Sequence, residues 1–314
     1  VWPSFTYRAI EWLVIWHFFL AGSSMYLCLR LLRPKRPLLR TAALLGALAF
    51  MFSDVFITHV GNLNLIAVAA WLPLAFLGLH RATLARQWPD RMLWAVAGGM
   101  ALGLGTLAGH GQMTFLVATF LGVYALFVAI FYRQWWSLPL LALLGIVAVG
   151  VAAISLIPAA ETLQHTLRGE FDYDRSTNYA LTWRALTGLI APDFFGRGAS
   201  NFWGDWQRVE VGYAGVITWL LALAAVVIVP RRQTMFFVAA AGLFLLLALG
   251  PHTPLYPLLA NWLPIVPFQV PARFVLLLDF CLAVLAALGF DDLVRHEWQT
   301  DRQLGLIVGV GGFV

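Results

Sequence analysis

Residues 137–157 read SLPLLALLGIVAVGVAAISLI, and none of these 21 residues carries a charged side chain. An α-helix rises about 1.5 Å per residue, so a helix of this length matches the roughly 30 Å thickness of a bilayer's hydrocarbon core. The whole chain has a similar composition, because 61% of its 314 residues are hydrophobic and only 11% are charged. Soluble domains carry about 25% charged residues. The sequence therefore predicts an integral membrane protein built from α-helices.

Similar apolar runs recur along the chain, each bounded by a short polar or arginine-bearing segment. They predict an all-α, polytopic helical bundle of about nine or ten spans, which forms a single transmembrane domain over residues 1–314. The predicted spans are 10–31, 41–58, 63–80, 92–109, 113–131, 137–157, 211–229, 235–250 and 272–290, and a tenth begins at Leu304. Because the chain opens on Val1 and stops inside an apolar run, we expect it to be a fragment of a longer protein.

The distribution of lysine and arginine predicts the orientation of this bundle. The short loops on one predicted side hold 13 of the 20 basic residues, whereas the other side holds Arg8, Arg273 and five arginines in one long loop. The positive-inside rule makes the first side cytoplasmic, so the net charge of +5 reflects topology and not a nucleic-acid partner. The 13 residues are Arg30, Arg33, Lys35, Arg36, Arg40, Arg81, Arg86, Arg91, Arg133, Arg231, Arg232, Arg295 and Arg302.

The longest predicted extracytoplasmic connection covers residues 158–210. It holds seven acidic residues and nine bulky aromatic residues. Loops this long are usually functional or disordered, and the aromatic content argues against disorder. We therefore expect an extracytoplasmic subdomain of short helices on the outer membrane surface, one of which starts within residues 182–186.

Two tight turns on the same predicted side carry polar side chains. His59 and Asn62 lie in the first turn, and His110 and Gln112 lie in the second. Each of these is, taken alone, an ordinary turn residue. Two polar tips beside a long acidic and aromatic loop favour a shared extracytoplasmic cleft.

Glu161 and His165 are spaced i,i+4 on a predicted helix at the start of the long loop. They could face one metal ion, or they could pair with each other or with water. The sequence contains no His-Glu-x-x-His, Cys-x-x-Cys or Walker A motif. We therefore assign no metal site and no cofactor, while a role for a divalent metal stays open.

Arg273 follows Pro271 at the predicted start of the ninth span, on the outer side. A helix N-terminus is already electropositive, so an added arginine there suggests a bound anion such as a phosphate. A salt bridge from Arg273 to Asp279 or to an acid of the long loop explains it equally simply. Asp54 and Asp279 are acids near or within spans, which need a partner or a wet cavity. Each could cap a helix or pair with an arginine, or could line a polar cavity.

Several short motifs follow one another along the chain, namely 17–26, 53–64, Ala70-Trp71-Leu72-Pro73-Leu74, 109–112, 158–161, 192–196, 210–215, 249–256 and 270–274. In these motifs and in their order the chain resembles, over nearly its whole length, the bacterial YfhO-type membrane proteins, which belong with the GT-C glycosyltransferases.

The resemblance implies a multi-pass protein of the bacterial cytoplasmic membrane. It implies transfer of a sugar from a polyprenyl-phosphate donor to an extracytoplasmic glycan or lipid acceptor. It also places the main catalytic carboxylate in a loop upstream of this fragment. Such a transfer needs a base for the acceptor and polar groups for the phosphate leaving group. The catalytic candidates that remain are His59 and Glu161, and the substrate-binding candidates are Arg273, His110, Gln112 and Asn62.

Two other functions compete with this interpretation. A secondary transporter or lipid flippase would have its site near the midplane, on discontinuous helices and often within inverted repeats. The sequence shows no internal repeat, and its polar residues crowd toward the outer face, which favours the enzyme. A membrane scaffold without catalysis is the third alternative, since a fold does not fix a function.

Overall fold

The computed structural model describes residues 7–163, 177–196, 211–228, 231–260 and 270–311, with side chains except those of 163, 260 and 296–311. Throughout these ranges the regular structure is helical and no strand occurs. Several residues of the predicted loop subdomain lie outside the described ranges. They are His165, Glu170, Phe171, Asp172, Tyr173, Asp174, Phe202, Trp203, Asp205, Trp206 and Glu210.

The chain forms helices in the order that the apolar pattern predicts. They are α1 (Tyr7–Leu31), α2 (Arg40–Met51), α3 (Asp54–Thr58), α4 (Leu63–Ala69), α5 (Leu72–Leu84), α6 (Trp88–Thr106), α7 (Gly111–Phe131), α8 (Ser137–Leu163), α9 (Val216–Ile228), α10 (Arg232–Ala248), α11 (Leu255–Ala260) and α12 (Val275–Gly311). Short 3-10 helices cover Arg184–Leu189, Gly250–His252 and Pro271–Phe274.

Six helical segments are long and apolar enough to cross a membrane, so the chain is a multi-pass helical membrane protein. They are Tyr7–Leu31, Arg40–Thr58, Leu63–Leu84, Gly111–Phe131, Ser137–Thr162 and Pro271–Arg295. The other three predicted spans are also helical. However, α9 and α10 have only 13 and 17 residues, which is shorter than the about 20 residues that usually cross a bilayer. The apolar part of α6 is shortened by Asp90 in its first turn.

Two of the predicted spans are broken helices. The first divides at Phe52 and Ser53 between α2 and α3, and the second divides at Ala70 and Trp71 between α4 and α5. Pro73 explains the second break, because proline has no N–H and its ring clashes with the preceding helical turn. The hydroxyl of Ser24 on α1 donates to the Ala70 carbonyl at 2.9 Å. That bond satisfies a backbone group that lipid could not satisfy.

The most buried spanning segment is the first part of α12, which packs against α9, α10 and α2. A Cβ at Gly289 would overlap the Leu221 carbonyl of α9, so glycine is what allows these two backbones to approach. α12 continues without interruption to Gly311, which differs from the predicted gap between a ninth and a tenth span. The predicted tenth span is thus the last part of the same helix. The polar segment that begins at Asp291 does not end the helix, because it contains no proline and its first glycine is Gly305.

The glycines of α6 serve helix packing. A Cβ at Gly103 would lie 2.7 Å from the Val151 Cβ of α8, and one at Gly105 would lie 3.2 Å from the Trp71 side chain. Gly99 likewise contacts α8 at Val147. These contacts hold α6 between α8 and the break that precedes α5, which fixes one wall of the bundle.

Candidate functional site

The polar helix ends fall into two groups at opposite ends of the spanning helices. One group, here called the tip face, comprises 52–62, 107–112, 177–191, 211–215, 249–254 and 270–274. The other, the basic face, comprises 31–40, 80–91, 131–137, 231–233 and 291–295. Hydrogen bonds connect members of each group, such as Gln112 with Val270 on the tip face and Arg33 with Gln233 on the basic face. The predicted site residues His59, Asn62, His110, Gln112 and Arg273 all belong to the tip face.

Arg273 and Gln112, two of the predicted substrate-binding residues, contact each other. The Nη1 group of Arg273 donates to Oε1 of Gln112 at 2.6 Å, across 161 positions in the chain. The Nε2 group of Gln112 in turn donates to the Val270 carbonyl at 3.2 Å. Gln112 is buried and Arg273 is half-buried. The amide therefore holds the guanidinium at a defined place between α7 and the turn that leads into α12.

The turn that carries Arg273 is a 3-10 helix, Pro271–Phe274, and Val270 before it has a φ of 64°. A β-branched residue rarely adopts this left-handed conformation, so the surrounding contacts must hold it there. Arg273 thus precedes α12 and does not begin it. The N–H of Ala272 donates to the Tyr179 carbonyl, and that of Arg273 donates to the Val270 carbonyl. These backbone donors are occupied, so an anion here would be bound by the guanidinium and not by the helix terminus.

The other predicted residues make local contacts with described residues. His59 is buried after the end of α3, where its Nδ1 lies 3.0 Å from the Val55 carbonyl. Nδ1 of His110 accepts the N–H of Met113 at 3.2 Å and so caps the start of α7. The backbone N–H of Asn62 donates to the His59 carbonyl and shapes the turn into α4. Glu161 is exposed in the last turn of α8.

Asp54 binds backbone at the point where the chain returns from the long loop. Its Oδ2 accepts the N–H groups of Val211 at 2.9 Å and Gly212 at 3.2 Å, and its own N–H donates to the Tyr213 carbonyl at 3.0 Å. Gly212 has a φ of 69° and lies against Leu189 and Val275. Asp54 therefore fastens residues 211–213 between α3 and the start of α12. These residues precede α9, so the carboxylate binds loop backbone and does not cap that helix.

Part of the long loop packs onto the same face. The N–H of Leu181 donates to the Ala248 carbonyl at 2.8 Å, and the N–H of Val270 donates to the Asn178 carbonyl at 3.1 Å. The Thr182 hydroxyl accepts the N–H of Ala185 at 3.2 Å and opens the 3-10 helix Arg184–Leu189. Asn178 and Tyr179 thus bind the turn that carries Arg273.

Asp279 lies on α12, six positions after Arg273, and is fully buried. Within the described ranges neither of its carboxyl oxygens has a hydrogen-bond partner, and the same holds for the Ser53 hydroxyl. Asp54 lies close enough for its negative charge to act on the Asp279 carboxyl, and Ser53 is a neighbour of the same carboxyl. The sequence indicated both acids, but it could not show that they approach each other. No group of three or more metal-ligating side chains occurs in the part of the chain that the structure describes.

Comparison with known proteins gives no assignment for this arrangement. No family model, no curated protein and no solved structure matches the chain.

Proposed function

We propose that this chain is the membrane domain of a glycosyltransferase that moves a sugar from a polyprenyl-phosphate donor to an extracytoplasmic cell-envelope acceptor. The observation that carries the proposal is the contact between Arg273 and Gln112 on the tip face. A polyprenyl donor keeps its chain in lipid and its phosphate at the interface, so its binding site belongs at the ends of spanning helices. An arginine that is half-buried and oriented by an amide is suited to bind such a phosphate.

The proposed roles follow from position and chemistry. Arg273 binds the donor phosphate and stabilises it as a leaving group. His59 lies on the same face and is the proposed acid that protonates the phosphate, since an imidazole can act as a general acid. Residues 177–191, which contact the turn at Arg273 through Asn178 and Tyr179, form the acceptor side of the proposed cleft. Glu161, exposed in the last turn of α8, is the candidate in this chain for the base that activates the acceptor.

Substitution of Arg273 and Gln112 tests the phosphate site in the full-length protein. Arg273→Lys keeps the charge but loses the forked geometry, so donor affinity should fall. Arg273→Ala should reduce the binding free energy further, by roughly 1.5–3 kcal/mol. Gln112→Glu is nearly isosteric and places a carboxylate next to the guanidinium, where it should compete with the phosphate. Affinity can be measured in nanodiscs with a short-chain polyprenyl-phosphate sugar, and transfer can be measured by product formation.

Arg8→Ala is the matched control, because Arg8 is an exposed arginine in the first turn of α1, at the end opposite the basic face and outside the proposed cleft. It should bind and transfer like the parent protein. If Arg273→Ala and Gln112→Glu also behave like the parent while inserting correctly, the phosphate site lies elsewhere.

A secondary transporter or lipid flippase is the second candidate, and two observations favour it. Asp279 is a fully buried acid without a hydrogen-bond partner among the described residues, and such acids often mark ion or proton pathways. The breaks at Ser53 and Trp71 also make two spans discontinuous, as in many transporter sites.

Asp279→Asn separates the two candidates because it removes the ionisable group and keeps the size of the side chain. A flippase should lose movement of an NBD-labelled polyprenyl-phosphate sugar between leaflets, measured by dithionite quenching in proteoliposomes. A transferase should keep the rate of sugar transfer of the parent within about threefold. Lost leaflet exchange in this variant, together with no sugar transfer by the parent, would overturn the enzyme proposal.

A further inference from the structure

A cavity of about 670 Å³ lies among the helix ends of the basic face, opposite the tip face. The connection between α1 and α2, the ends of α5 and α7 and the start of α10 enclose it. Four cationic side chains line one part of the cavity, namely Arg33, Lys35, Arg36 and Arg231. Neither the tip-face site nor the proposed sugar transfer uses these residues.

The cationic side chains outnumber the acid that faces them. Oδ1 of Asp292 lies 3.3 Å from Nη2 of Arg231, and 3.9 Å from both Nη1 of Arg33 and Nη2 of Arg36. The two longer distances exceed those of hydrogen bonds. Among the side chains that the structure describes, and with Lys35 included, four positive charges lie near one carboxylate, which leaves an excess of three.

The neighbouring acid, Asp291, does not reduce this excess. Its Oδ1 accepts the N–H of Leu39 at 2.7 Å, and its Oδ2 accepts Nε of Arg295 at 3.0 Å. Arg295 also donates to the Pro37 carbonyl. Asp291 is therefore paired with a cation that does not line the cavity.

Arg33 is the cationic lining residue whose guanidinium is buried with incomplete hydrogen bonding in the described structure. Its Nε donates to Oε1 of Gln233 at 3.0 Å, but in the described structure its buried Nη1 and Nη2 atoms have no hydrogen-bond partner. Burial and the adjacent Arg231 lower the pKa of Arg33 to about 10, so the side chain remains charged at neutral pH. A buried charge that lacks hydrogen bonds is costly, and a bound anion would supply them.

The rest of the cavity wall is apolar and aromatic. Leu84, Phe127, Val128 and Phe236 line it beside the cationic part. The lining also includes His80, whose Nδ1 lies 2.6 Å from the Tyr124 hydroxyl and whose Nε2 lies 2.8 Å from the Leu32 carbonyl. Both ring nitrogens of His80 are thus already paired within the protein. A ligand that fits both parts must therefore carry an anionic group at one end and a hydrocarbon portion at the other.

We propose that this cavity binds an anionic phospholipid, with its phosphate between Arg33, Arg36 and Arg231 and an acyl chain along Phe127, Val128 and Phe236. Arginine pairs well with phosphate because its fork of N–H groups matches the phosphate oxygens. The basic face is also the face that the positive-inside rule predicts to be cytoplasmic, where anionic lipids attract basic pockets between helices.

The test uses the full-length protein in nanodiscs of equal parts phosphatidylglycerol and phosphatidylcholine, with retained lipids counted by native mass spectrometry. The parent should retain phosphatidylglycerol selectively. Arg33→Gln should weaken retention by about tenfold or more, since it removes a charged hydrogen-bonding group. Arg36→Gln should also weaken it, and this variant keeps the fold because Arg36 lies at the exposed rim of the cavity. Arg86→Gln is the control, since Arg86 is exposed on the same face but does not line the cavity.

A competition arm distinguishes a lipid from a soluble phosphate. Inorganic pyrophosphate at millimolar concentration should not displace phosphatidylglycerol, because it lacks the hydrocarbon portion. Displacement by pyrophosphate, or pyrophosphate binding in pure phosphatidylcholine nanodiscs, would overturn the lipid as the occupant. Equal phosphatidylglycerol retention by the parent, Arg33→Gln and Arg36→Gln would overturn the site itself.

Discussion

At the scale of single residues, Asp54 is the side chain whose loss should affect the fold most clearly. Its carboxylate accepts two backbone N–H groups, from Val211 and Gly212. Asp54→Ala should lower the free energy of unfolding by about 1.5–3 kcal/mol, the usual range for hydrogen bonds to a charged group. Asp54→Asn should cost less, because the amide oxygen can still accept. The thermal midpoint in nanodiscs measures both effects.

Asp90→Ala is the matched control for Asp54, because Asp90 is an exposed aspartate on α6. It should change the stability by less than about 1 kcal/mol. An Asp54→Ala protein as stable as the Asp90→Ala protein would show that residues 211–213 are held by other contacts.

The candidate site could be predicted from the sequence only as a list of residues on one face. Arg273 and Gln112 were assigned to that face by topology, but their contact joins positions 161 apart and depends on how α7 packs beside the turn before α12. His110 follows a glycine at a helix start, where its ring caps the backbone. Ser53 and Asp54 lie at another helix start, but the backbone that Asp54 binds comes from a distant segment.

At the scale of elements, hydropathy predicts where helices lie but not where they break. Pro73 is a local signal for the break between α4 and α5, yet the segment around it is apolar enough to resemble one continuous span. The break is tolerated because Ser24 from another helix satisfies the Ala70 carbonyl, and that contact is tertiary. The break between α2 and α3 has no proline, and the pairing of Asp54 with residues 211–213 accompanies it. Local sequence therefore locates the spans, whereas tertiary hydrogen bonds permit their interruptions.

At the scale of the whole molecule, basic residues from separate loops converge at one end of the bundle. Arg33 and Arg36 follow α1, Arg231 precedes α10, and all three approach Asp292 on α12. The grouping agrees with the alternation of loops that the sequence predicts. Which side of the membrane this basic face occupies is a separate prediction, made from the positive-inside rule.

Cysteine labelling in intact bacterial cells tests that orientation. The two native cysteines, Cys28 and Cys281, are free and fully buried, so the parent should react little with a membrane-impermeant thiol reagent. Lys35→Cys and Arg86→Cys should be shielded on the basic face, whereas Thr187→Cys on the tip face should react, because all three positions are exposed. Opening the cells should make the first two reactive, which distinguishes shielding by the membrane from burial. Labelling of positions 35 and 86 in intact cells, with none at 187, would place the basic face outside. The Arg273 and Gln112 pair would then face the cytoplasm, and a donor used on the outer surface could not reach it.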